Sequence, residues 1–146
     1  MLADRLVKEL HCEAIWKGLE IHPETPPEGM PVDRRTSPYM ISVLENIRQL
    51  SGTLGLEMHV QDFRSNSRLS LEGAEFARDS GQFNIYHRAV FEAYFQKGQD
   101  FGNMAVLEAI AEEANLDVTR FREALSDGRY RPVLAEALQE AQRLSI

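Results

Sequence analysis

The one side chain in this sequence that could act as a thiol nucleophile is Cys12, the single cysteine among 146 residues. Thiol–disulfide exchange needs an attacking thiolate and a second thiol that resolves the mixed disulfide. One cysteine can form neither a CxxC pair nor a disulfide within the chain. Free cysteine is among the most buried residue types, and Cys12 begins an apolar stretch that reaches Trp16. We therefore interpret Cys12 as a structural thiol and predict no catalytic residue.

The other side chains that often bind metals or transfer protons show no spacing typical of a site. The histidines lack the convergent pattern of metal ligands; they are His11, His22, His59 and His87. We interpret His87 as a packed or partly exposed histidine in an aromatic-rich helix. Two carboxylate pairs, Glu72 with Glu75 and Glu112 with Glu113, fall on predicted helices, where we expect solvated positions. Since no nucleotide-binding glycine motif is present either, the sequence predicts no metal and no cofactor.

The overall charge narrows the classes of partner. A formal net charge of −7 argues against nucleic acids and anionic membranes, because both attract a basic face. No apolar run approaches the roughly 20 residues that a membrane-spanning helix needs. The first residues lack the apolar core of a signal peptide. We therefore expect a cytoplasmic protein that binds neither nucleic acid nor membrane.

From residue 37 onward, apolar residues at helical spacing predict six helices. Ser37 followed by Pro38 is typical of a helix start, and Gly55, Gly81 and Gly128 are typical of helix ends. The predicted helices are bounded by Ser37 and Gly55, Ser65 and Gly81, Ile85 and Lys97, Met104 and Asn115, Asp117 and Gly128, and Arg131 and Leu144. Their apolar faces predict one shared core that contains Phe91, Phe95, Leu107, Ile110, Leu134 and Leu138.

The first 36 residues follow a different pattern. Residues 2–10 have helical spacing, and residues 12–21 form the one good strand candidate. The prolines between positions 23 and 31 then require an irregular loop. A lone strand leaves its backbone N–H and C=O groups without partners. Either residues 12–21 are not a strand, or they pair with something else.

Three segments occur in an order and spacing that point to a known family. They are WKGLEIHPETPPEG at 16–29, SNSR at 65–68 with Ala74 and Ala77, and HRAVFEAYF at 87–95 followed by GQDFG at 98–102 and Val106–Leu107. Together they resemble the DsbA-like family of the thioredoxin-like superfamily, and within it the FrnE-type thiol–disulfide oxidoreductases. More distantly, they are similar to 2-hydroxychromene-2-carboxylate isomerases and kappa-class glutathione transferases.

The resemblance implies a mainly α fold, namely the helical insertion domain of a DsbA-like thioredoxin fold with one leftover β-strand at about residues 12–21. It implies a single domain, 1–146. Within it, residues 1–36 would be the thioredoxin-like remnant of helix, strand and Pro-rich loop, and residues 37–146 the helical domain.

The resemblance also places four residues at the cleft that faces the family's active site: His22, Pro23, Ser65 and Asn66. Simpler structural interpretations exist for two of them. For His22 we prefer a loop position with a backbone hydrogen bond, and for Asn66 we prefer a helix cap.

The departures from the family pattern concern its redox chemistry. Members begin with a strand and a CxxC motif, whereas Met1 falls inside what would be the first helix. Members also continue into a Gly-Val-Pro-Thr-like segment whose cis-proline lies beside the CxxC, and Ile146 stands just before its expected position. We therefore expect a chain truncated at both ends that carries no thiol–disulfide exchange activity by itself.

Three functions remain open from the sequence. The chain could belong to a FrnE-type oxidoreductase, could be a stand-alone helical binding or interaction module, or could be a glutathione-using relative of the isomerase or transferase type. In each case we expect a homodimer through residues 2–21, because an unpaired strand is a template for pairing with a second copy across a two-fold axis. The alternative is that this segment packs locally against the helices.

Overall fold

The computed structural model describes residues 7–11, 13–34, 37–56 and 58–146, so Cys12 lies outside the described residues. Residues 7–10 are helical, and six longer helices and two short strands follow. The elements are β1 (Met30–Pro31), α1 (Pro38–Thr53), β2 (Phe63–Arg64), α2 (Arg68–Asp79), α3 (Phe83–Phe95), α4 (Met104–Glu113), α5 (Val118–Asp127) and α6 (Arg131–Arg143). The chain is therefore mainly helical, as predicted.

Local capping explains where several helices begin and end. The Ser37 hydroxyl accepts a hydrogen bond from the backbone N–H of Met40 at 3.2 Å, and the Asp117 carboxylate accepts one from Arg120 at 3.0 Å. Both bonds satisfy N–H groups that have no partner within their helix. At the end of α5, Gly128 adopts a left-handed conformation with φ of +66°, which costs glycine little. The predicted starts of α1 and α5 are confirmed by these contacts.

The core lies among α2, α3, α4 and α5, and α2 contacts each of the four helices that follow it. Its members are Phe76, Ala77, Tyr86, Ala93, Leu107, Ile110, Ala111, Ala114, Leu116, Phe121, Ala124 and Leu125. No residue of α6 is buried, and Ser51 is the one buried residue of α1. The two outer helices therefore flank the core without contributing large side chains to it.

The predicted core is correct for its central members and wrong for its outer ones. Leu107 and Ile110 are buried, whereas Phe91 is 47% exposed and Leu138 is 40% exposed. Phe95 and Leu134 are half-buried and lie outside the core. Helical spacing identifies an apolar face, but it does not say whether another element covers that face.

The two strands form a small antiparallel sheet that joins the Pro-rich loop to the start of α2. Met30 pairs with Arg64, and Pro31 pairs with Phe63. Gly29 precedes β1 with φ of +73°, and any Cβ there would overlap the Phe63 ring. A glycine is thus needed at position 29 for the loop to approach the sheet.

The prediction of a strand at residues 12–21 is wrong. Residues 13–20 have no regular secondary structure, and the strands lie at 30–31 and 63–64 instead. Among the described residues, no backbone ladder reaches this segment, and a strand needs such a ladder for its N–H and C=O groups. Side chains hold the segment against α2 and α6, which agrees with the alternative of local packing.

Four contacts fasten that segment to the helices. Arg78 donates a hydrogen bond to the Trp16 carbonyl at 2.6 Å. Lys17 forms an ion pair with Glu140 on α6, and Arg68 forms one with Glu20 at 3.3 Å. Gly18 lies so close to Leu71 and Leu134 that an added Cβ would sit 3.1 and 3.3 Å from their side chains.

Within the part of the chain described, no helix is both long and apolar enough to cross a bilayer.

Candidate functional site

The Pro-rich loop and the start of α2 meet at a buried pair of residues, Thr25 and Asn66. The Asn66 side chain donates a hydrogen bond to the Thr25 carbonyl at 2.6 Å, and the Thr25 N–H donates to the His22 carbonyl at 3.1 Å. Thr25 is 3% exposed and Asn66 is 8% exposed. Buried polar groups normally have such partners, so this junction fixes the His22–Thr25 turn against α2.

Asn66 also orders the first turn of α2. Its side-chain oxygen accepts a hydrogen bond from the Arg68 N–H at 3.0 Å, whereas Ser67, the residue immediately before the helix, makes no side-chain cap. The capping interpretation of Asn66 is therefore correct but incomplete, because the same amide also binds the loop. The sequence analysis missed Thr25, whose carbonyl has no distinguishing sequence signal.

Charged side chains surround this junction on the solvent side. One Glu24 oxygen lies 3.0 Å from His22 Nδ1 and 3.4 Å from Arg64 Nη1. A backbone hydrogen bond at Glu24 lowers the pKa of its carboxyl below the ordinary value; burial opposes this, and His22 and Arg64 lower the pKa further. The neighbouring Ser65 hydroxyl is buried and has no hydrogen-bond partner among the described groups.

A groove of about 690 Å³ begins beside this polar cluster and runs along α1. Its apolar lining includes Met40, Val43, Leu44, Ile47 and Leu50 of α1, and Leu54 just after that helix. The lining outside α1 includes Leu56, Met58, Val60, Tyr94 and Phe95. The volume falls in the range of roughly 300–1,000 Å³ that is usual for small-molecule sites.

Hydrogen bonds connect several segments of the lining outside α1. The Tyr94 hydroxyl donates to the Phe63 carbonyl at 3.2 Å, and the Gln61 side chain donates to the Tyr94 carbonyl at 2.8 Å. Arg34 donates through Nε to the Gln61 carbonyl at 2.8 Å. The β2 segment, the end of α3 and the loop after β1 thus form one connected wall.

Of the four residues predicted at a cleft, three come together. His22 and Ser65 line the groove, and Asn66 lies buried directly behind them. Pro23 is exposed and does not line the groove. The sequence analysis missed Arg34 and Arg64, which also line the groove.

His87 lies elsewhere, as part of an aromatic cluster under the 13–20 segment. Its ring centroid is 5.1 Å from that of Trp16, 5.2 Å from Phe83 and 4.8 Å from Phe91. Burial, and then the nearby Arg78 guanidinium, lower the pKa of His87 below its ordinary value. The interpretation of His87 as a packed histidine agrees with this environment.

The expectation for the two carboxylate pairs is half wrong. Glu112 and Glu113 are exposed, but Glu72 is 0% exposed and Glu75 is 8% exposed. Both lie on the face of α2 that other elements cover, which helical spacing alone did not reveal. Among the described residues, no three His, Cys, Asp or Glu side chains converge as metal ligands would.

The mainly helical fold and the Pro-rich loop agree with what the sequence resemblance implied for the DsbA-like class, whereas the β-strand that it implied at about residues 12–21 is not formed. The sequence model of the DSBA-like thioredoxin domain matches residues 2–146. The chain therefore belongs to the DSBA-like thioredoxin domain family. It is also 29% identical over 140 residues to "Uncharacterized protein YwbO" of Bacillus subtilis (strain 168). That alignment covers 94% of this chain and 69% of the relative.

Proposed function

We propose that this chain is the helical, substrate-facing part of a FrnE-type thiol–disulfide oxidoreductase, and that the 146 residues alone do not exchange disulfides. Family membership supports the first statement. The proximity of His22, Ser65 and Asn66 at the groove also supports it. The second rests on the single cysteine, because exchange needs two thiols.

The purified chain is expected to give no acceleration of insulin reduction by dithiothreitol, since it has no thiol pair to turn over. Insulin precipitation with and without the chain is the measurement, with a DsbA-family protein that contains CxxC as the positive control. A rate above the dithiothreitol control would contradict the proposal. The Cys12→Ser variant would then show whether the single thiol is responsible.

A second candidate function is a binding module that needs no redox chemistry. The observation that favours it is the groove along α1, whose walls are apolar and whose polar groups gather near His22 and Ser65. Concave, mostly apolar sites with a few placed polar groups are the usual form of ligand sites. This role is compatible with the first, because an oxidoreductase also needs a surface that holds its substrate.

We also propose that the chain forms a homodimer through residues 2–21. The apolar side chains of Leu10, Ile15 and Ile21 are 67%, 72% and 75% exposed. Among the described residues, the backbone of 13–20 takes part in no ladder, which leaves it able to pair with a second copy. Burying these side chains against a second copy would remove them from water.

Light scattering of the unmutated chain is expected to give the mass of a dimer, and Leu19→Pro is expected to give a monomer because proline removes a ladder donor. The double substitution Ile15→Lys with Ile21→Lys should act in the same direction. Ile146→Lys is the matched control, since Ile146 is also exposed but lies far from the segment in sequence. A monomer at high concentration of the unmutated chain would refute the dimer.

A further inference from the structure

The groove is lined by both apolar and polar side chains, and much of its apolar lining comes from α1 and the residue that follows it. Ile47 and Leu50 of α1 are 36% and 62% exposed, and Leu54 just after the helix is 52% exposed. No other described helix or strand approaches the backbone of α1 closely. Contiguous exposed apolar surface of this kind marks a binding site in soluble proteins.

Three polar residues of the lining lie close together: Arg64 and Ser65 are adjacent in sequence, and one Glu24 oxygen contacts both His22 and Arg64. The Ser65 residue is 5% exposed, yet its hydroxyl has no partner among the described groups. Leaving a buried hydroxyl unpaired costs free energy, so a ligand atom that bonds to it would gain that amount. The unpaired hydroxyl therefore indicates that a ligand in the groove would carry a polar group.

The charge of that group follows from Arg64. Its side chain is 27% exposed, and within the described part of the chain its ion-pair contact is a long one of 3.4 Å to the largely exposed Glu24. A guanidinium has five N–H donors, so most of them remain for a second acceptor. Arg34 adds a second positive charge to the lining. The complementary head group is an anion that accepts hydrogen bonds, such as a carboxylate.

We propose that the groove binds an amphipathic anion, with an apolar chain lying along α1 and an acidic head at Arg64 and Ser65. The inference rests on the binding role proposed above and names the class of ligand. The net charge of −7 attracts cations in general. A preference for the anion would therefore have to come from the local arginines.

The test is titration calorimetry of the full chain with dodecanoate below its micelle concentration. Dodecyltrimethylammonium supplies the same tail with a cationic head, and butyrate supplies the same head with a short tail. Dodecanoate is expected to bind, and both comparators are expected to bind at least about tenfold more weakly, since each loses one of the two contacts. Equal binding of the cationic amphiphile would leave an apolar groove but overturn the anionic ligand. No binding of dodecanoate or of either comparator would overturn the binding role as well.

Variants separate the head from the tail. Arg64→Gln should weaken dodecanoate binding about tenfold, the value of one charge-assisted hydrogen bond, whereas Arg122→Gln, outside the groove, should not. Leu44→Glu places a carboxylate in the apolar wall and should abolish binding, whereas Ile41→Glu on the same helix, which does not line the groove, should not. Circular dichroism of each variant checks that it is folded. If the folded Arg64→Gln and Leu44→Glu variants bound dodecanoate with unchanged affinity, the proposal would be refuted. It would also be refuted if an uncharged apolar peptide displaced dodecanoate and bound with the same affinity.

Discussion

Phe121→Ala is expected to lower the free energy of unfolding by about 3–5 kcal/mol, the usual cost of removing a buried phenyl ring. Phe121 is 0% exposed. Its ring meets that of Phe76 edge to face with centroids 5.5 Å apart, and that of Tyr86 at 5.8 Å. Gly73 lies beneath it, so closely that an added Cβ would be 2.9 Å from the ring. A void at this position cannot be filled without moving three helices.

Urea unfolding followed by circular dichroism measures this effect. Phe91→Ala is the matched control, since it removes the same ring from a position that is 47% exposed. Its expected cost is about 1 kcal/mol or less, because partly exposed rings outside the core leave little void. If the two substitutions shifted the unfolding midpoint equally, the assignment of the core to α2–α5 would be wrong.

Arg131→Met is expected to lower the free energy of unfolding at neutral pH by about 1–3 kcal/mol, the cost of leaving a buried charged group without its partner. Glu72 is fully buried on α2, and Arg131 Nε lies 3.4 Å from one of its oxygens. The other oxygen has no partner among the described groups. The exposed Arg131 guanidinium is thus the group that compensates this carboxylate.

The same pair predicts a pH dependence. Burial raises the pKa of Glu72 above its ordinary value of 4.5, although Arg131 opposes the shift. The folded state therefore holds this proton more tightly than the unfolded state. The stability that the neutral carboxyl contributes is fully present below pH 4.5 and is lost as pH rises through the folded pKa. Glu72→Gln removes this loss, so the variant should gain stability over the unmutated chain as pH rises.

Urea unfolding between pH 4 and pH 8 tests both statements on the same set of variants. Arg131→Met should be destabilised more at pH 8 than at pH 4, because loss of Arg131 raises the pKa of Glu72 further. The double variant Glu72→Gln with Arg131→Met is the control, and it should show little destabilisation since no charge is left unpaired. A Glu72→Gln difference that stays constant with pH would mean that Glu72 titrates normally in the folded chain.

The amino-acid sequence was sufficient to predict the helical architecture and the family. Six helices, the caps at Ser37 and Asp117 and the turn at Gly128 are local features, in which the decisive atoms lie within about four residues of one another. Such features can be recognised without knowing what packs against them. His22, Pro23, Ser65 and Asn66 were named from family resemblance and not from spacing, and of these His22 and Ser65 line the groove.

Which apolar helix faces are covered, and which polar and charged groups are paired, became known only from the tertiary structure. Residues 13–20 have the composition of a strand, but their neighbours are the side chains of α2 and α6, so no ladder forms. Glu72 is buried because α2 is surrounded by four other helices. The apolar face of α1 looks like a core face, but several of its side chains remain exposed and line the groove. Burial and pairing depend on residues distant in sequence, and no pattern within one segment contains that information.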